Sequence, residues 1–148
     1  MRYSMLPIQK DAVVEIFSKV LYDIDVDTRM TLAENKYMPD EVLAVLAKDN
    51  QVEVRVAVAD NPNVPSDILC EMASDKESEV RAAVADNKNT PANILAILAN
   101  EGGFISQLVA GNESTPESVL IKLAEQGDVY VSDVARQRLF RCEYSEAK

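Results

Sequence analysis

Asp23, Asp25, Asp27 and Glu34 stand at the first, third, fifth and twelfth positions of the stretch DIDVDTRMTLAE. That is the carboxylate spacing of a calcium-binding loop, in which oxygen ligands converge on one cation. Such a loop also needs glycine at its sixth position to turn sharply, and here that residue is Thr28, followed by the cationic Arg29. Other reactive chemistry is as poorly supplied. The chain has no histidine for acid–base work. It also contains no GxGxxG or GxxxxGK[ST] loop to cradle phosphate and no His/Cys spacing for a metal. Cys70 and Cys142 form no CxxC pair. With Asp67 and Glu71 beside it, the Cys70 thiol has nothing to activate it and reads as packing. No catalysis, cofactor or metal is expected.

The acids find another explanation in an internal repeat. TRMTLAENKYMPDEVLAVLA, VRVAVADNPNVPSDILCEMA, VRAAVADNKNTPANILAILA and ISQLVAGNESTPESVLIKLA align without gaps. Arg29, Arg55 and Arg81 are each 26 residues apart, as are Asn35, Asn61 and Asn87, while Asn112 follows Asn87 after 25. One residue is therefore missing ahead of the fourth unit. Six residues before each arginine lies an acid, Asp23, Asp49 or Asp75. Where Ser106 and Ser132 replace arginine, Asn100 and Gln126 replace the acid. Acid and base are kept together and lost together, which predicts that the arginine forks onto the carboxylate six residues earlier. Asp27 aligns with Glu53 and Glu79 on a first helical turn, where negative charge meets the helix dipole, and Glu34 aligns with Asp60 and Asp86.

Each unit holds two apolar patterns. The first has the i, i+3, i+4 spacing of one helical face, and the second opens at Pro39, Pro65, Pro91 or Pro116, which suits the first position of a helix. Thr90 and Thr115 precede two of these prolines as N-cap candidates. In the second pattern pairs such as Val42-Leu43 and Ile94-Leu95 recur, with Leu or Met three residues on, leaving one narrow polar strip. A helix apolar on so many sides must touch earlier and later units, so stacking is obligatory. The asparagines Asn35, Asn61, Asn87 and Asn112 persist even where arginine fails. They read as turn-fixing residues that tolerate a left-handed helix end and bond nearby backbone.

The run EVRAAVADNKNTPANILAILA resembles the leucine-rich repeat variant family, and the acid-then-arginine spacing is similar to HEAT-type repeats. The resemblance covers about residues 25–127. It implies an all-α fold, a right-handed α-solenoid of about four short helix pairs, one helix of each pair being open to 3₁₀ character, and it implies no activity. Some members carry an iron–sulfur cluster on additional cysteines, which two cysteines cannot supply. The expected organisation is one domain over 1–148, with an N-terminal cap at 1–24, units at 25–49, 50–75, 76–100 and 101–127, and a C-terminal cap at 128–148. Helices over 11–22 and 129–143 would serve as the caps, the latter burying Val131, Val134, Ala135, Leu139 and Cys142.

Composition agrees with that architecture. Residues are 47% hydrophobic but only 5% aromatic, so the core must be built from small aliphatic side chains that let helices approach closely. The start MRYSMLPIQK lacks a charged-then-apolar leader, and no apolar run reaches the roughly 18 residues of a membrane span, which points to the cytoplasm. A net charge of −10 repels phosphate backbones and acidic membranes.

The expected role is a protein-interaction module for a basic or partly apolar partner. The alternative is a HEAT-like nucleic-acid module in which Arg29, Arg55 and Arg81 line a groove. Candidate contact residues are Asp67, Glu71, Glu41, Ile97 and Lys122 on the polar strip of the second helices. Phe104 joins them because NEGGFISQ replaces an acid with an aromatic after two glycines. For Phe104 two readings stand: decay near the end of an array, or an exposed aromatic anchor.

Overall fold

Helices of seven to ten residues are not stable alone in water, so these exist only by packing on one another. The computed structural model describes residues 10–126 and 128–145, and among them the chain is all-helical, without a strand. The helices are α1 (Lys10–Tyr22), α2 (Val26–Glu34), α3 (Asp40–Leu46), α4 (Val52–Asp60) and α5 (Ser66–Met72). They continue with α6 (Ser78–Asp86), α7 (Ala92–Leu98), α8 (Gly103–Gly111), α9 (Glu117–Gln126) and α10 (Val129–Ser145). Each sequence unit thus supplies a first helix (α2, α4, α6, α8) and a second (α3, α5, α7, α9). The first helices pack in succession, α2 on α4, α4 on α6, α6 on α8 and α8 on α10. The second helices lie against them, α3 against α2 and α4, and α9 against α8 and α10, while α1 packs on α3.

The core lies between the two sets. Val54, Val58, Val80, Val84 and Val109 come from first helices and Leu43, Leu46, Leu69, Leu95, Leu98 and Leu120 from second helices. Burying each such side chain fully is worth about 1.5–3 kcal/mol. Ala59, Ala85 and Ala110, wholly buried, let successive first helices approach. In the closing helix Val131 and Ala135 are buried and Val134 and Leu139 half-buried; the Cys142 side chain lies outside the described residues.

Two details of the turns differ from the sequence reading. Pro39, Pro65 and Pro91 sit at the N-cap position in extended conformation, one residue ahead of their helices. The Pro91 carbonyl accepts from the Ile94 and Leu95 amides at 2.9 and 3.0 Å. Thr90 and Thr115 do not cap the helix that follows. Their hydroxyls donate backward, at 2.6 Å, to the Val84 and Val109 carbonyls at the end of the preceding helix. Both threonines are buried there, where an unbonded carbonyl would be costly.

The missing residue of the fourth unit is absorbed at Gly102 and Gly103, both with positive φ (77° and 53°). Gly102, at ψ −179°, lies in a region essentially reserved for glycine. A Cβ there would meet no atom, so only the backbone resists substitution. Gly102→Ala is expected to cost about 1–3 kcal/mol of stability. Gly111→Ala, in open space at the end of the same helix and without positive φ, should be neutral or stabilising. Thermal melts of the two variants compare them directly, and equal melting temperatures would contradict this account.

Candidate functional site

The calcium-type spacing is taken apart by helix α2. Asp25 is its N-cap, accepting from the Thr28 amide at 2.9 Å and from the Thr28 hydroxyl at 2.8 Å, and these bonds hold its carboxyl below the usual value. Asp27 lies in the first turn and Glu34 at the last residue of α2. At 1.5 Å of rise per residue they stand about 10 Å apart along the axis, too far to close on one ion.

The arginines do meet carboxylates, but not those six residues earlier. Arg29 forks onto Asp49 (Nε to Oδ2 2.7 Å, Nη2 to Oδ1 3.2 Å) and Arg55 onto Asp75 (2.7 and 3.0 Å). Arg81 takes Glu101, with Nε 3.0 Å from both oxygens and Nη2 2.9 Å from Oε2. Each acid therefore lies twenty residues after its arginine. The residue six before contributes its carbonyl instead: Arg55 Nη1 donates to Asp49 O and Arg81 Nη1 to Asp75 O, both at 2.8 Å. For Arg29, Nη1 donates to the Ile24 carbonyl, and Asp23 stays exposed outside the ladder.

The geometry explains the exchange. Each loop aspartate, the last residue of its unit, turns its carboxylate back to the arginine on the first helix of that unit while also accepting the amide two residues on, Gln51 N at 2.9 Å for Asp49 and Glu77 N at 3.0 Å for Asp75. Hydrogen bonds donated by Arg55 are the main cause that lowers the Asp75 pKa, against burial, and the same bonds, accepted by Asp75, raise that of Arg55. In the fourth unit Ser106 replaces the arginine by donating to Ala99 O and accepting from Gly102 N, each at 2.9 Å.

The asparagines form a second ladder, buried at Asn61, Asn87 and Asn112. Oδ1 of Asn35, Asn61, Asn87 and Asn112 accepts the amide two residues on, at 2.8–3.0 Å, fixing each turn as expected. None is left-handed, since their φ values run from −62° to −70°. Their persistence has another cause. Asn61 Nδ2 donates to Ala33 O (2.6 Å) and Asn35 O (3.1 Å), Asn87 Nδ2 to Ala59 O (2.6 Å) and Asn61 O (3.0 Å), and Asn112 Nδ2 to Ala85 O (2.8 Å) and Asn87 O (2.9 Å). Each amide ties its unit to the end of the previous first helix. Arg138, 26 residues after Asn112, ends the series by donating to Ala110 O (3.2 Å) and Asn112 O (2.6 Å). Extending the asparagine column by one period would have found it.

Both ladders hold the first helices in register and leave their outer faces to solvent. On α2, α4 and α6 that face carries Asp27 and Glu34, Glu53 and Asp60, and Glu79 and Asp86, all exposed. Between the two acidic rows run the half-buried Met30, Val56 and Ala82. None of the six carboxylates meets a cation among the described residues. Asp60 is open to solvent as a residue, yet protein packed around its carboxyl raises its pKa, with Asp86 and Glu34 adding repulsion.

The contact residues singled out from sequence divide between two places. Glu41, Asp67, Glu71, Ile97 and Lys122 lie on second helices, with Ile97 60% exposed. Glu71 is paired with Lys48 at 3.3 Å, and Lys122 donates to the Asn100 side chain. Phe104 is instead on first helix α8, 66% exposed, and Tyr130, 26 residues on in α10, is 75% exposed. Tyr130 and the two acidic rows as a joint surface were not picked out from sequence, although the column Asp27, Glu53, Glu79, Phe104, Tyr130 can be read there. Comparison with protein-family models, curated proteins and solved structures finds no match. Among the described residues no helix is long and apolar enough to cross a membrane, and no cluster of His, Cys, Asp and Glu could hold a metal.

Proposed function

We propose that this chain is a leucine-rich repeat variant protein of the cytoplasm. In this reading it is a right-handed α-solenoid of four helix-pair units between caps at 1–24 and 128–148, acting without catalysis as a protein-binding module. The successive packing of α2, α4, α6, α8 and α10 and the bonds by which arginine and asparagine side chains reach carbonyls of the preceding unit support the solenoid. The partner is basic and partly apolar. One observation carries this: the outer faces of α2, α4 and α6 hold six carboxylates without cations among the described residues, flanking an apolar strip. The second-helix strip of Glu41, Asp67, Glu71, Ile97 and Lys122 is the lesser candidate, because Glu71 and Lys122 are already engaged. The nucleic-acid reading has less support, since the guanidiniums of Arg29, Arg55 and Arg81 are turned onto carboxylates and carbonyls.

A fluorescently labelled peptide alternating lysine with leucine tests the proposal by anisotropy. It is expected to bind saturably at low salt, to weaken as salt screens the charges, and to lose affinity with Glu53→Lys and Glu79→Lys together. Absence of binding at low salt, or binding indifferent to the charge reversals, would overturn it. A labelled DNA duplex that binds with a steep salt dependence would favour the arginine column instead.

A further inference from the structure

The row at the start of the first helices changes character along the molecule. Asp27, Glu53 and Glu79 are followed by Phe104 and Tyr130, each at the equivalent position of a helix packed against the one before. Where charge gives way to rings, between α6 and α8, there is a groove of about 410 Å³ lined by Ser78, Glu79, Ala82, Phe104 and Ile105, with the Arg81–Glu101 pair at its wall. Exposed aromatic rings of this size are the side chains interfaces most often use as anchors. Acids alone would take any cation, but three acids and then two rings distinguish one end of a ligand from the other.

We propose, resting on the protein-binding reading above, that this row is one continuous docking track for an extended peptide segment whose cationic residues are grouped at one end and whose apolar residues are grouped at the other. Neighbouring helices lie about 8–10 Å apart, and a segment extended as a polyproline II helix rises about 3.1 Å per residue with about three residues per turn, so every third side chain faces the track and meets one helix. The matching ligand carries Lys or Arg at three such steps and aliphatic or proline side chains at the next two. The cations pair with Asp27, Glu53 and Glu79; the apolar residues cover Phe104 and Tyr130, the first of them entering the groove.

Two labelled peptides of identical composition provide the test, one with the lysines and leucines segregated at three-residue steps and one with them interleaved. The segregated peptide is expected to bind at least about tenfold tighter, and Phe104→Ala with Tyr130→Ala should bring it down to the level of the interleaved one. Both substitutions are at exposed positions, and unchanged melting temperatures confirm the fold. Equal affinities, or affinities untouched by the aromatic substitutions, overturn the track. If both peptides still lose binding on Glu53→Lys and Glu79→Lys, the protein-binding reading survives that failure; if neither peptide binds at all, both fall. Light scattering that shows a dimer dissolved by the aromatic substitutions would assign the rings to a second copy of the chain and likewise overturn the track.

Discussion

Arg55→Met is expected to lower the stability of the fold by about 3–5 kcal/mol, because it removes one partner of a buried ion pair and strands the other. The Arg55 and Asp75 side chains are only 7% and 11% exposed, and Asp75 without its fork keeps the Glu77 amide as its remaining bonded partner. For a chain of this length the loss corresponds to a fall of roughly 10 °C in melting temperature. Adding Asp75→Asn should recover much of it, since a neutral side chain no longer carries an uncompensated charge while still accepting the Glu77 amide. A single variant that melts with the native protein would refute the view that this pair holds the closing loop of its unit onto the first helix.

The same pair contributes to stability in the acid range. Asp75 has its carboxyl lowered, chiefly by the Arg55 bonds, so in the acid range the unfolded chain binds more protons than the folded one. The contribution is whole above the ordinary aspartate value and is lost as pH falls through the lowered, folded value. Asp60 has the opposite sign. Its raised folded pKa means the ionised carboxyl costs stability, a cost relieved as pH falls through that raised value. Melting temperature followed downward from pH 7 should therefore fall steeply only below the range where Asp60 has protonated. Asp60→Asn should raise the neutral plateau, and Arg55→Met should flatten the steep acid limb.

Asn87→Ala carries the second large effect. The side chain is almost fully buried and makes three bonds, two from Nδ2 to the Ala59 and Asn61 carbonyls and one from the Asn89 amide to Oδ1. Alanine leaves two carbonyls and an amide without these partners, at about 1–3 kcal/mol for each group that water cannot reach. A total of about 2–4 kcal/mol is expected, read as a fall of roughly 5–10 °C in circular-dichroism melts. Asn35→Ala is the control. Asn35 is exposed and fixes only its own turn through the Tyr37 amide, so its loss should cost far less. Equal effects at positions 35 and 87 would show that the unit-to-unit bonds contribute nothing.

The sequence allowed much of this to be read because the chain repeats itself. Apolar spacing placed the helices, and the proline columns marked the second helix of each unit to within one residue. The persistence of asparagine where arginine fails singled out a column in which Asn61, Asn87 and Asn112 turn out to be buried. The threonine hydroxyls were assigned to the wrong helix, because a threonine before proline lies in reach of the helix behind as well as the one ahead. Phe104 illustrates another limit. A phenylalanine after two glycines suits a core filler as well as an anchor, and only its position on the outward face of α8 separates them.

The residue sequence by itself determined the all-helical class, the two helical patterns of each unit and the small aliphatic core, since these follow from local spacing and side-chain volume. It did not determine which acid each arginine holds. In a period of 26, a position six before and a position twenty after belong to one column, so both pairings obey the same pattern. The deleted residue before the fourth unit is where they part, six before Ser106 being Asn100 and twenty after Arg81 being Glu101. Tertiary structure decided for Glu101, because guanidinium and carboxylate must meet in space, and stacking brings the following loop to the arginine while the preceding loop offers only its carbonyl.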